Sequence, residues 1–269
     1  MLDEPRSGRL AAWGNAMFAG LVPPDDAAQK AVGDDTVHRI TGLPGEDRPV
    51  AVAFGLGRLR ALGARGLRVA LPAPGHPLGL SGPAPFNERA LAAGEAVVAV
   101  GGPAVGLVPE VSSAGPAGDR RTEVLWHCLP VRQAPPADVP PLAEAERELT
   151  LALREATEVL TRMDVAGAGP GAQAALEGYR ARRSRRVLAP GYPARAVRVL
   201  ELAQRVGALL AIAGVRPGGA GAPGEHGAAV SASQMAARAQ ALAPVERTAR
   251  RAQVAAYNAY VEELERQGM

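Results

Sequence analysis

Apolar residues follow two different rhythms along this chain, and the change comes at Ala134-Pro135-Pro136-Ala137-Asp138-Val139-Pro140-Pro141. Before it, apolar runs are short and punctuated by Gly and Pro. After it, long Ala/Leu/Arg/Glu segments repeat at three- and four-residue spacing. The pattern predicts a mixed α/β subdomain over 1–133, a proline-rich linker over 134–141 and a helical subdomain over 142–269.

In the first part, Leu10, Trp13, Met17 and Leu21 share one helical stripe, and Pro23-Pro24-Asp25-Asp26 suits the start of a second helix. Val52, Leu56, Leu59 and Leu62 predict a third helix, ended by Gly63. Leu67–Leu71 reads as a buried strand and Phe86–Ala93 as a short helix closed by Gly94. Ala96–Val100 and Ala104–Val108 read as strands joined at Gly101-Gly102-Pro103, and Thr122–Val131 as the last strand, after a loop over Ser112–Asp119.

Beyond the linker, Leu149, Leu153, Ala156, Leu160 and Met163 form one stripe. A shorter helix passes through Leu176 and Tyr179, and another carries Val199, Leu202, Val206, Leu209 and Ala213. The last opens at Ser231-x-x-Gln234, which has capping-box spacing, and runs to about Arg266 with a break or kink at Pro244. The fold class read from this is α+β: a small, partly antiparallel sheet with short helices, followed by an Ala-rich bundle of about four helices.

Composition narrows the chemistry. Of 269 residues, 47% are hydrophobic and only 3% aromatic, so Ala, Leu and Val fill the core. Lys30 is the single lysine and lacks the glycine context of a phosphate loop, which excludes P-loop chemistry. The net charge of +3 is modest; residues 1–134 hold 13 basic and 13 acidic side chains, leaving the excess to the helical part. With Cys128 alone, no intrachain disulfide forms. The opening Met-Leu-Asp-Glu-Pro-Arg is acidic where a secretory signal is basic, and the longest apolar run, Val206–Val215, is half a membrane span. The expectation is a cytoplasmic protein without a membrane partner.

Two segments offer binding chemistry. Arg180, Arg182, Arg183, Arg185 and Arg186 form the densest charge cluster, and guanidinium forks suit phosphate, so this is the candidate anion or nucleic-acid contact. The ordinary alternative is a solvated helix end. The loop Pro72–Pro83 is shaped by prolines, and Gly75, Gly79 and Gly82 would let a ligand or another backbone come close. His76 within it is the candidate acid/base or donor of a small-molecule site, with Asn87, Glu88 or Glu95 nearby.

Other motifs fall short. Gly55-Leu56-Gly57 opens like a dinucleotide fingerprint, but Arg60 stands at the third glycine position. His127 and Cys128 are adjacent on a strand, so they point to opposite faces and form no nucleophile–base pair. The histidines at 38, 76, 127 and 226 lack metal-ligand spacing. No catalytic residue, cofactor or metal is assigned.

Pro74–Pro83, with Ala90-Leu91-Ala92-Ala93-Gly94-Glu95-Ala96-Val97-Val98 and Gly106-Leu107-Val108-Pro109, resembles uncharacterised conserved proteins of high-GC bacteria. That resemblance implies no activity. The lack of a catalytic set leans the reading away from an enzyme. It ranks first a non-enzymatic scaffold or adaptor acting through protein contacts, with a partner protein or by self-association. Arg247, Arg250 and Arg251 against Glu262, Glu263 and Glu265 on the last helix would suit antiparallel association. The alternatives are a nucleic-acid-associated protein using Arg180–Arg186, and a small-molecule binder or enzyme at Gly75–Pro83.

Overall fold

A computed structural model describes residues 4–116, 119–162, 188–212 and 232–268. The elements of the first part are α1 (Arg6–Phe18), α2 (Pro24–Val32), β1 (Val37–Thr41), β2 (Val50–Ala51), α3 (Val52–Ala61), β3 (Gly66–Ala70), α4 (Ala84–Ala93), β4 (Ala96–Val100), β5 (Val105–Ala114) and β6 (Arg121–Pro130). Then come α5 (Leu142–Arg162), α6 (Ala194–Ile212) and α7 (Ala232–Arg266). The fold is α+β, as the apolar pattern predicts.

The six strands form one sheet in the order β2-β1-β6-β5-β4-β3. Only β1 and β6 run parallel; the other pairs are antiparallel. Strands β1 and β2 lie outside the sequence expectations. In β1 the alternation is carried by His38 and Ile40, both buried, so a histidine occupies a core position. The loop expected at Ser112–Asp119 is shorter than its composition suggests. Ladder pairing continues to Ala114 and Arg121, because backbone bonds between β5 and β6 hold residues that no side-chain burial marks.

One face of the sheet carries Ile40, Leu67, Val69, Val97, Leu107, Val124, Trp126 and Cys128, all buried. Helices α1 and α3 pack on it at close range. A Cβ at Gly14 would stand 2.6 Å from Leu67 Cδ1, and one at Gly55 2.6 Å from Ile40 Cδ1. On the opposite face a smaller cluster of Ala70, Leu80, Phe86, Ala90, Ala96, Val108 and Val131 lies under α4. Each large aliphatic side chain fully buried here contributes about 1.5–3 kcal/mol.

The described residues divide into two units. One takes in 4–139, 188–193 and 257–268; the other takes in 140–162, 194–212 and 232–256. In the second unit, α5 buries Ala145, Leu149, Ala152 and Ala156, and α6 buries Ala196, Val199, Leu200, Ala203 and Val206. Arg195 joins Glu146 at 2.6 Å. Three helices of the expected bundle are described; the one expected through Leu176 and Tyr179 lies outside the described residues. Helix α7 runs on through Pro244, with Thr248 Oγ1 donating to the Pro244 carbonyl at 3.0 Å.

Candidate functional site

The loop singled out by its prolines and glycines is pinned by its own backbone. Ala73 and His76 exchange both hydrogen bonds, at 2.9 and 2.8 Å, around the Pro74-Gly75 tip. Gly75 has φ +78° there, which suits the second central residue of a Pro-Gly turn. Leu71 N–H donates to Leu78 O at 3.1 Å, and Gly79 N–H to Ala137 O at 2.8 Å. Leu78 is fully buried at φ +39°, a left-handed conformation costing a bulky residue on the order of 1 kcal/mol, offset here by its burial.

The backbone that comes close to Gly79 is the chain's own: a Cβ there would lie 3.0 Å from Val69 O. Gly82 N–H donates to Asn87 Oδ1 at 2.9 Å, so Asn87 ties the loop to α4. Glu95 faces elsewhere. Its Oε2 accepts from both Ser7 N–H and Ser7 Oγ, each at 2.8 Å, and so caps the first turn of α1. Glu88 is exposed, and His76 is half-buried. The cluster Arg180, Arg182, Arg183, Arg185 and Arg186 lies outside the described residues.

Sequence reasoning missed a buried polar network around β1. Asp35 accepts two bonds from Arg6 at 2.8 Å and one from Arg9 at 3.0 Å, and its Oδ2 lies 3.0 Å from His38 Nε2. Trp126 Nε1–H donates to His38 Nδ1 at 3.3 Å, so the imidazole keeps its proton on Nε2, toward the carboxylate. Burial alone would raise the Asp35 carboxyl. The His38 and Arg6 hydrogen bonds, with the charges of Arg6 and Arg9, outweigh it and hold Asp35 well below the usual carboxylate range. Both ring nitrogens of His38 are occupied and its side chain is wholly buried. This Asp–His pair therefore ties β1, β6 and α1 together and has no nitrogen to offer a substrate.

A second missed network seals the outer edge of β3. Asn15 on α1 accepts from Leu67 N–H at 2.7 Å and donates to Leu67 O at 3.0 Å. Asn258 on α7 makes the same pair with Val69, at 2.7 and 3.0 Å. Two side-chain amides thus stand where a neighbouring strand would supply peptide groups. Tyr192 supports them: its hydroxyl accepts from Asn15 Nδ2 at 3.3 Å and donates to Tyr257 O at 2.9 Å, and burial pushes its phenol well above the ordinary tyrosine range. The signal was available, because each asparagine sits on the apolar stripe of its helix, beside Ala11 and Ala12 or Val254 and Val261.

Trp126 and Cys128 share the helix-covered face and His127 the other, as strand alternation predicts. Burial pushes the Cys128 thiol up to about 11. His127 Nε2 meets Glu110 Oε2 at 2.6 Å at the surface. Around them, over β1, β6 and the far half of β5, the sheet face is open among the described residues, its side chains exposed or half-buried. Leu125, half-buried, lies in register between Arg39 on β1 and Glu110 on β5, both exposed; Val37 and Thr41 extend the row on β1. Among the described residues, no group of three or more His, Cys, Asp or Glu gathers to hold a metal, and no helix is long and apolar enough to cross a membrane.

The family model described as Rv1486c-like protein, N-terminal domain, matches residues 7–140, and the corresponding C-terminal domain model matches 143–254. Uncharacterized protein Rv1486c of Mycobacterium tuberculosis is 32% identical, over 76% of this chain and 81% of that protein. Uncharacterized protein ML1804 of Mycobacterium leprae is 30% identical, over 93% of this chain and 95% of its own length. Uncharacterized protein MAV321 of Mycobacterium avium is 31% identical, over 76% and 77%. No solved structure matches.

Proposed function

The chain belongs to the Rv1486c-like family, and we propose that it is a non-enzymatic cytoplasmic scaffold or adaptor that holds another protein against the open face of its sheet. The row Arg39–Leu125–Glu110 carries this reading. It offers an apolar centre flanked by one cation and one anion, on paired strands. Such a patch suits a protein surface presenting an apolar side chain to Leu125 and an acidic group to Arg39. The polar groups best placed for chemistry support the same reading, because Asp35, His38, Asn87 and Glu95 are all engaged in holding the fold.

Site-specific photocrosslinking in the native host tests it. A benzophenone side chain in place of Arg39 is expected to give a discrete protein adduct that survives nuclease. The same group at Gly57, on the exposed side of α3, is expected to give none. Equal labelling from both positions, or adducts to nucleic acid alone, would sink the proposal.

A further inference from the structure

The sheet treats its edges unequally. At β3 the outward backbone groups are taken by Asn15 and Asn258, and at the other end β2 is only two residues long. A third edge lies inside the sheet order, where β5 outruns β4. Strand β4 pairs with β5 at Val97↔Leu107 and Val98↔Gly106, whereas β6 follows β5 to Ala114.

The direction of the backbone groups along β5 follows from one bond. Val131 N–H donates to Ala104 O at 2.9 Å, so even-numbered residues turn their N–H and C=O toward β6 and odd-numbered residues turn them away. Leu107 spends its outward groups on β4. Pro109, next in the outward row, has no N–H to satisfy, as befits a residue where a neighbour ends. Val111 and Ser113 come next, both exposed, and no strand flanks them on that side among the described residues.

We infer that this segment is a homodimer seam, in which β5 of one chain pairs antiparallel with β5 of a second copy about a two-fold axis at Ser112. That register gives four backbone hydrogen bonds: Val111 exchanges two with Ser113 of the second copy, and Ser113 two with its Val111. It also matches charge. Glu110 falls opposite Ala114 of the second copy, and Ala114 lies opposite Arg121 in the ladder, so all three share one sheet face. The small methyl between them lets the two long side chains meet over it, and the symmetry makes the ion pair twice. Glu110 Oε2 is the oxygen that meets His127, leaving Oε1 for the arginine. No like charges face each other across the seam. The seam shares Glu110 with the open-face reading, but the two tests read different things: the Arg39 crosslink reads a second protein, whereas Ser113→Pro and the cysteine variants read self-association.

Sedimentation of the full chain tests it, with engineered cysteines. The purified protein is expected to sediment as a concentration-dependent dimer. Ser113→Pro, which removes an outward donor and the Ser113–Thr122 hydroxyl bond but keeps the backbone ladder to β6, is expected to weaken dimerisation at least tenfold, with circular dichroism confirming that the variant is folded. Charge supplies a second route that leaves the backbone intact: Glu110→Arg and Arg121→Glu each weaken the dimer at low salt, and together they restore it. In a Cys128→Ala background, Ser112→Cys is expected to form a disulfide-linked dimer on mild oxidation. Thr122→Cys, about three strand spacings of 4.8 Å from its counterpart, is expected not to. A chain that stays monomeric at high concentration overturns the inference, and so does equal cross-linking from the two cysteine positions.

Discussion

Replacing Asn258 by Leu tests the edge seal most directly. The two side chains have the same heavy-atom count and branching, so no cavity opens while Val69 loses both partners of its outward backbone groups. Asn258 is only 5% exposed, so water does not readily replace it. Each buried backbone group left unsatisfied costs about 1–3 kcal/mol, which puts the substitution, with two such groups, at about 2–6 kcal/mol. A domain stable by about 5–15 kcal/mol feels that strongly. With a urea slope of about 2 kcal/mol/M, the midpoint should fall by about 1–3 M. Hydrogen exchange at the Val69 amide gives a second readout, with protection lost in the variant and retained at Val97, which lies inside the sheet. A urea midpoint within about 0.3 M of the parent, with Val69 still protected, would refute the account of Asn258 as a surrogate strand.

Three further outcomes follow from the packing and the charges. Asp35→Asn removes the anion shared by Arg6, Arg9 and His38 and should cost about 3 kcal/mol in chemical unfolding. In the parent, the Asp35 pKa is lower folded than unfolded, so its contribution is present above the ordinary carboxylate pKa of about 4 and fades as pH drops below it; the Asn variant should lose that part of the acid sensitivity. Gly106→Ala drives a Cβ to 2.4 Å from Phe86 Cε2 and should destabilise by about 1–3 kcal/mol, whereas Gly57→Ala in α3 meets nothing within 4 Å and should stabilise by about 0.5–1 kcal/mol, both read by thermal melting. Cys128, buried and with its thiol raised to about 11, should resist thiol reagents at pH 8 until the chain is unfolded in urea.

What could be read in advance was whatever side-chain burial writes into the sequence. Strands β3 and β4, the Gly101-Gly102 turn and the helix ends at Gly63 and Gly94 all follow from apolar runs closed by residues that tolerate positive φ. What escaped is held by polar pairing. Strand β1 has a buried histidine where an aliphatic residue would have marked it, and the hairpin beyond Val111 is held by backbone bonds in the exposed pairs Ser112–Glu123 and Ala114–Arg121. Asn15 and Asn258 escaped because their partners lie 52 and 189 residues away, and the bond of Asp35 to Arg6 spans 29; no local pattern records a bond at such separation.

The Asn258 seal also has a schedule. Strand β3 and its neighbours β4, β5 and β6 leave the ribosome early, but the amide that closes Val69 is translated 189 residues after it. At about 5–20 residues per second, that leaves about 10–40 s in which half of this strand edge is unguarded. A nascent chain in that interval presents open peptide groups to anything extended nearby, including neighbouring nascent copies on the same message. Translation pauses between Val69 and Asn258 should therefore raise the aggregated fraction, while pauses after Asn258 is free of the ribosome should not.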